Sequence, residues 1–213
     1  MVMATVMATV MANKTFMSVA LNIKSMGNLR HTIEIHVDDV DLLLLQLYEQ
    51  SLFQASEKQH FRRNGKLDTW ALDLRVSLSR SEFLQPISLK MLEALEKNDV
   101  TQILGKGYGS FFLVGGIVSS GTGIRAGLLR ESQKEYGFKQ QIEGSLDKES
   151  PLFIIDDILS SGRTAANIAD RLLKEGYKPI GIMTVFQYGW RNAIQRLSQY
   201  NFMIQSLATL HKK

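Results

Sequence analysis

Residues Leu152 to Thr164 constrain this chain more than any other stretch. Four apolar residues, Leu152-Phe153-Ile154-Ile155, follow Pro151 and read as a buried strand. They run into two adjacent carboxylates, Asp156 and Asp157, and then into Ile158-Leu159-Ser160-Ser161-Gly162-Arg163-Thr164. From Thr164 to Glu175, Ala165, Ile168, Ala169, Leu172 and Leu173 share one helical face, and Gly176 closes the helix. A strand that ends on paired acids and returns as a helix puts those acids at the carboxyl edge of an open α/β sheet, where ligands bind. The loop ahead of the helix offers unpaired N–H groups and the positive end of the helix dipole, so it can cradle a phosphate. Ser160, Ser161 and Thr164 add hydroxyl donors. The two carboxylates can accept from sugar hydroxyls. A site with a phosphate end and a diol end describes a ribose 5-phosphate. Spacing alone leaves a plain capped turn beside an acidic pair as the alternative.

The surrounding pattern supports an α/β fold. A strand is predicted near Thr101 to Leu104, ahead of Gly105-Lys106-Gly107-Tyr108-Gly109. A helix is predicted over Phe111 to Val118 and a strand over Ile124 to Leu129. Arg130 to Leu146 is polar and glycine-marked, so it reads as a long loop with hairpin character. Ile180 to Phe186 is another apolar strand, Arg191 to Tyr200 a helix, and the tail a strand. Earlier in the chain, Val37 to Gln54 reads as a helix with Asp38, Asp39 and Asp41 at its N-terminus. Ser79-Arg80-Ser81-Glu82 reads as a capping box for a helix reaching about Lys97, with Pro86 near its first turn. Alternating strands and helices predict a mostly parallel sheet covered on both faces.

Composition narrows the chemistry. The absence of cysteine excludes disulfides, thiolate metal sites and a cysteine nucleophile. His31, His36, His60 and His211 have no ligand spacing, so no protein-held transition metal is expected. The net charge is +4, but the positive residues form no run; nucleic acid is not the expected partner, and the excess suits a polyphosphate substrate. No apolar stretch reaches a membrane span, so a soluble, cytoplasmic protein is expected. Residues 1–33 differ from the rest: Met-Ala-Thr-Val repeats, and no acid precedes Glu34. They read as a disordered or non-native extension ahead of one domain over 34–213, with an organelle-targeting segment as the alternative.

The stretch from Leu152 to Thr164 resembles the phosphoribosyl pyrophosphate (PRPP) signature of type I phosphoribosyltransferases: four apolar residues, two acids and a Ser/Thr-rich glycine loop. Within that superfamily the chain is most similar to orotate phosphoribosyltransferase. Phe61-Arg62-Arg63-Asn64-Gly65 followed by Leu72-Asp73-Leu74-Arg75 resembles that family's N-terminal segment. Arg130-Glu131-Ser132-Gln133-Lys134-Glu135-Tyr136-Gly137, with Ile142-Glu143-Gly144 after it, resembles its mobile catalytic loop.

The resemblance implies a Rossmann-like, mostly parallel sheet with helices on both faces and a small N-terminal hood. It implies transfer of the ribose 5-phosphate of PRPP to a nucleobase, orotate first, giving orotidine 5′-monophosphate in pyrimidine biosynthesis. Asp156 and Asp157 would hold the ribose hydroxyls. Ile158, Leu159, Ser160, Ser161, Gly162, Arg163 and Thr164 would wrap the 5-phosphate. The glycine turn from Gly105 to Gly109, Tyr108 and Gly109 above all, with Arg130, Lys134 and Tyr136 of the loop, would meet the pyrophosphate. Arg63, Ser160 and Gln187 would face the base. Mg²⁺ would be held mainly by PRPP, with no protein metal ligand set, and a homodimer is expected because the loop completes the neighbour's site. Several positions depart from the family. Glu131 replaces a basic residue, and Gly109 a position that is often lysine. Ala71 replaces an aromatic, Gln187 the arginine that grips the orotate carboxylate, and Arg63 a lysine. These departures motivate two alternatives: PRPP-dependent transfer to another base, and a non-catalytic PRPP-binding regulator.

Overall fold

The computed structural model describes residues 3–11, 14–24, 30–37, 41–54, 60–61, 67–68, 70–120, 123–131 and 141–212. They fall into two compact units, Met1–Ser77 with Ala208–Lys213, and Leu78–Leu207.

In the first unit the backbone forms β1 (Met3–Met11), β2 (Lys14–Lys24) and β3 (Arg30–Val37), paired antiparallel in that order. This is the stretch that composition set apart as an extension. Helix α1 (Leu42–Ser51) is shorter than the predicted Val37 to Gln54. Its start is fixed by Asp41, whose carboxylate accepts from the Leu43 and Leu44 amides at 3.1 and 3.4 Å. The chain then turns extended into β4 (Leu52–Gln54), followed by β5 (His60–Phe61), β6 (Leu67–Asp68) and β7 (Trp70–Leu72). Strands β4 and β7 pair antiparallel, Phe53 opposite Ala71, and β5 pairs with β6. Asp73 then opens α2 (Leu74–Leu78): its amide donates to Ser51 O at 2.8 Å, and its carboxylate takes both Arg75 Nε and Nη2 at 2.7 Å. A forked guanidinium–carboxylate contact of this kind fixes direction as well as charge.

The second unit begins with α3 (Ser81–Glu96). Its N-cap is Arg80, one residue later than the predicted box, and the Phe83 and Leu84 amides both reach Arg80 O. Pro86 falls in the second turn and the helix continues through it. Then come β8 (Gln102–Gly105), α4 (Tyr108–Ser119), β9 (Arg125–Leu129), β10 (Ile142–Gly144), β11 (Pro151–Leu159), α5 (Arg163–Lys174), β12 (Lys178–Tyr188), α6 (Ala193–Leu197) and β13 (Met203–Lys212). A 3₁₀ turn at Ser198–Tyr200 finishes the predicted Arg191 to Tyr200 helix. The strand order is β13-β12-β11-β8-β9-β10, with β9, β8, β11 and β12 mutually parallel and β10 antiparallel to β9. The last residues of β13 pair antiparallel with β3, Thr209 opposite His36.

Both faces of the parallel strands are covered. Leu104, Leu152, Ile154 and Ile182 pack with Ala165, Ile168, Ala169 and Leu172 of α5 and with Ala193 and Leu197 of α6. Their alternating neighbours face the other way: a Cβ at Gly105 would meet Val114 and Ser110 of α4. Every strand residue from Leu152 to Ile155 is fully buried, as expected where parallel strands lie between helix layers. Between Leu152 and Phe153 the register with β12 slips by one, from Pro179 to Gly181. Pro179 has no N–H for the ladder, and an irregularity is where sheets tolerate proline. No helix among the described residues is long and apolar enough to cross a membrane.

Candidate active site

The order of the strands creates a crevice. From β8 the chain passes through α4 to β9 on one side, while β11 lies on the other. That reversal is the switch point at which open α/β sheets bind ligands, beyond the carboxyl ends of the strands. Strand β8 ends opposite Ile155, with Gly105 as its last partner, whereas β12 follows β11 to the pair Leu159–Gln187. Residues Asp156 to Leu159 therefore remain extended with one neighbour instead of two. This corrects the sequence reading, in which the strand stopped at the acids: pairing to β12 carries it through them.

Asp156 Oδ1 accepts from the Asp157 amide at 3.0 Å, and Asp157 Oδ1 from the Ile158 amide at 2.8 Å. Burial, and then the like charge of Asp157, push Asp156 well above the usual carboxylate range; Lys106, just after β8, pulls the other way. Asp157 belongs to the face covered by α4, where Gly109 leaves room for its carboxylate.

The loop from Ser160 to Gly162 leads into α5, which starts at Arg163. Gly162 is the N-cap, with φ +72°, a left-handed conformation that glycine adopts without a Cβ penalty. Its carbonyl takes the Ala166 amide at 2.9 Å. The first amides of the helix have no intrahelical acceptor and face the loop, the arrangement that holds anions. Ser161, Arg163 and Thr164 are exposed and Ser160 half-buried, so these polar groups are accessible. Leu159 is instead buried among α5 and α6, and can offer a ligand its backbone only.

The glycine turn crosses from β8 to α4 but is shorter than the sequence reading had it. Gly105 ends β8, and Tyr108 and Gly109 already belong to α4, which starts three residues before Phe111. Only Lys106 and Gly107 remain between them, with Gly107 at φ +91°. Ser110 Oγ donates back to Gly107 O at 2.9 Å and closes the turn. Tyr108 is three-quarters exposed and meets Phe111 edge to face.

At the end of β9, the Arg130 amide donates to Gln141 O at 2.9 Å, and its guanidinium meets Glu143 Oε1 at 3.1 Å across the β9–β10 hairpin. The hairpin character expected of this region is thus present at its base, but Arg130 is engaged with a carboxylate. Glu131 is exposed. Lys134 and Tyr136 of the loop, and Arg63, lie outside the described residues. Gln187 is buried at the end of β12, and the rings of Tyr188 and Trp190 stack on each other at 4.7 Å.

The described candidates from the glycine turn, the acidic pair, the loop ahead of α5 and Gln187 therefore share the carboxyl ends of β8, β11 and β12. The sequence reading covered Lys106 only as part of the Gly105 to Gly109 turn, without naming its charge, and it missed one further neighbour. Arg196, which donates from Nε to Ser161 O at 2.8 Å, reaches back across 35 residues and carried no local signal.

No family model matches the chain. Over 143 residues it is 31% identical to an orotate phosphoribosyltransferase of Malacoplasma penetrans, covering 64% of this chain and 66% of that protein. The chain thus spans just under two thirds of that relative's length. Among solved structures it resembles orotate phosphoribosyltransferase of Mycobacterium tuberculosis, with a TM-score of 0.66 at 18% identity, over 78% of this chain and 93% of that one. It also resembles adenine phosphoribosyltransferase of Leishmania donovani, with a TM-score of 0.61 at 17% identity, over 81% and 82%. The strand order, the crevice beside β11 and these likenesses agree: the chain has the type I phosphoribosyltransferase fold and is similar in sequence to the orotate phosphoribosyltransferases.

Proposed function

We propose that this protein transfers the ribose 5-phosphate of PRPP to a nucleobase, with orotate as the acceptor and orotidine 5′-monophosphate and pyrophosphate as products. The observation that carries this reading is the continuous run from β11 through Asp156 and Asp157 into the Gly162-capped start of α5. Asp156 and Asp157 accept the ribose hydroxyls. The loop Ser160 to Thr164 and the first amides of α5 hold the 5-phosphate. The turn at Lys106 and Gly107, with Tyr108 and Gly109 at the start of α4, faces the pyrophosphate, and Gln187 the base. In the reaction the bond from the anomeric carbon to the pyrophosphate oxygen breaks, and a base nitrogen bonds to that carbon. The ribose gains positive charge between the two events. The carboxylates beside it favour that charge, and the protein's work is positioning and electrostatic stabilisation.

Two carboxylates are too few to cage a divalent ion, and no group of three potential ligands occurs among the described residues. They fit Mg²⁺ held mainly by substrate oxygens, as hard, water-rich Mg²⁺ sites are. The ion would supply charge neutralisation on the leaving pyrophosphate. A homodimer belongs to the same proposal.

A second reading keeps PRPP and changes the acceptor. The buried carboxamide of Gln187 favours it, because a neutral group does not neutralise a carboxylate on the base. Pyrophosphate release from PRPP and Mg²⁺, measured against orotate and a panel of other nucleobases, separates the readings. Release with orotate supports the first and release only with another base the second. PRPP binding without release for any base would sink both and leave a regulator.

A further inference from the structure

Behind the phosphate loop stands α6. Arg196 Nε donates to the Ser161 carbonyl at 2.8 Å. In a trans peptide the C=O and N–H point in opposite directions, and the described chain has no cis bond. Drawing the Ser161 carbonyl towards α6 therefore turns the Gly162 N–H away from α6. Gly162 itself backs on to α6: a Cβ there would lie 3.2 Å from both the Cα and the carbonyl oxygen of Ala193, and 3.3 Å from Leu197 Cγ. Ala193 and Leu197 are fully buried with Ala165, Ala166 and Ile168. Helix α6 is thus anchored by its apolar side, while the Arg196 side chain reaches the loop from an exposed position.

We infer that Arg196 is a positioning residue for the phosphate end of the site: its guanidinium fixes the Ser161–Gly162 peptide so that the Gly162 N–H joins the α5 amides as a phosphate donor. This rests on the PRPP reading proposed above. It makes α6, which follows β12 in the chain, a structural part of the phosphate cradle formed ahead of α5. Because the anchor is apolar and the charge-assisted bond lies at the surface, the bond can be removed without dislodging the helix.

The test titrates ribose 5-phosphate, pyrophosphate and PRPP separately into the full chain by calorimetry, for wild type, Arg196→Met and Arg196→Lys. Arg196→Met should weaken ribose 5-phosphate and PRPP by about tenfold, the loss of one hydrogen bond from a charged donor. Pyrophosphate affinity and the melting temperature should stay at wild-type values. Arg196→Lys should recover part of the loss, because an ammonium can donate to the same carbonyl without the planar fork. Equal weakening of ribose 5-phosphate and pyrophosphate, or weakening of neither, would overturn the inference. A fallen melting temperature in Arg196→Met with an unaltered Arg196→Lys would also overturn it, by showing a role in folding alone. Wild-type protein that binds neither PRPP nor ribose 5-phosphate would bring down the parent reading, and the inference with it.

Discussion

The carboxylate of Asp157 lies so close to the α-carbon of Gly109 that even a methyl group at position 109 would overlap Oδ2. The first turn of α4 and the acid on β11 are thus fitted to each other, and neither can change size alone. Gly109→Ala should push the carboxylate aside. Overpacking at a tight contact costs about 1–3 kcal/mol, and PRPP affinity should fall roughly tenfold for each 1.4 kcal/mol that reaches the site. Calorimetric titration of PRPP reads this directly. Wild-type affinity in a folded Gly109→Ala protein would show that Asp157 does not depend on that contact.

Asp156 should lower stability at neutral pH. Its folded value is raised by burial and by Asp157, so the folded chain holds the proton more tightly than the unfolded chain does. Stability from this group is complete below about pH 4, the unfolded value, and is lost as pH rises through the raised folded value. Asp156→Asn keeps an acceptor for the Asp157 amide and removes the charge. The melting temperature at pH 7 should rise by about 3 °C, while PRPP binding weakens by more than about tenfold. Thermal melts from pH 4 to 8 should show wild type losing stability relative to the variant. Parallel curves would contradict the assignment.

Gln187→Arg should increase preference for a base that carries a carboxylate. The buried position makes an unpaired guanidinium costly, so the free variant should melt below wild type. Orotate should then raise its melting temperature more than it raises that of wild type. The ratio of kcat/KM for orotate over a neutral base should increase as well. An unchanged ratio would place Gln187 away from the base.

Tyr200 offers a check on the α5 side of the fold. Its hydroxyl donates to Asp170 Oδ1 at 2.6 Å and lies 3.3 Å from Ala166 O. Burial first, and then the bond to Asp170, push it up to about 12. A raised phenol contributes stability that is complete below about pH 10 and is lost as pH rises from there towards the folded value. Alkaline melts of wild type and Tyr200→Phe should therefore diverge below pH 10 and converge above it. At neutral pH the variant should lose about 1 kcal/mol, one net hydrogen bond.

Much of the sheet could be read from sequence because its signals are local. Leu152 to Ile155, Ile180 to Phe186 and the face of α5 follow period and apolarity, and the glycines at 107, 162 and 176 sit where φ is positive. Tertiary context decided the rest. Asp156 and Asp157 are poor strand formers, yet pairing to β12 keeps them extended. Asp41 started α1 because its own carboxylate was in place to cap, although Asp38 and Asp39 preceded it. Arg130 was read towards pyrophosphate and meets Glu143, a partner that only the hairpin brings near. The likeness to a known family pointed to the acids and to the loop ahead of α5. It could not reach Arg196, whose contact is with a backbone atom and leaves no trace in residue type.

The uneven ending of β8 and β12 beside β11 also acts as a ruler. A strand advances about 3.3 Å per residue and reverses its face at each step. Asp156 follows directly on four fully buried residues, so its position is counted off by how Leu152, Phe153, Ile154 and Ile155 seat themselves. A slip of one residue would move both carboxylates by that distance and exchange the faces they serve. Core residues such as Phe153 thereby hold the calibration of the site, and a repacked interior can leave the protein folded but aimed wrongly.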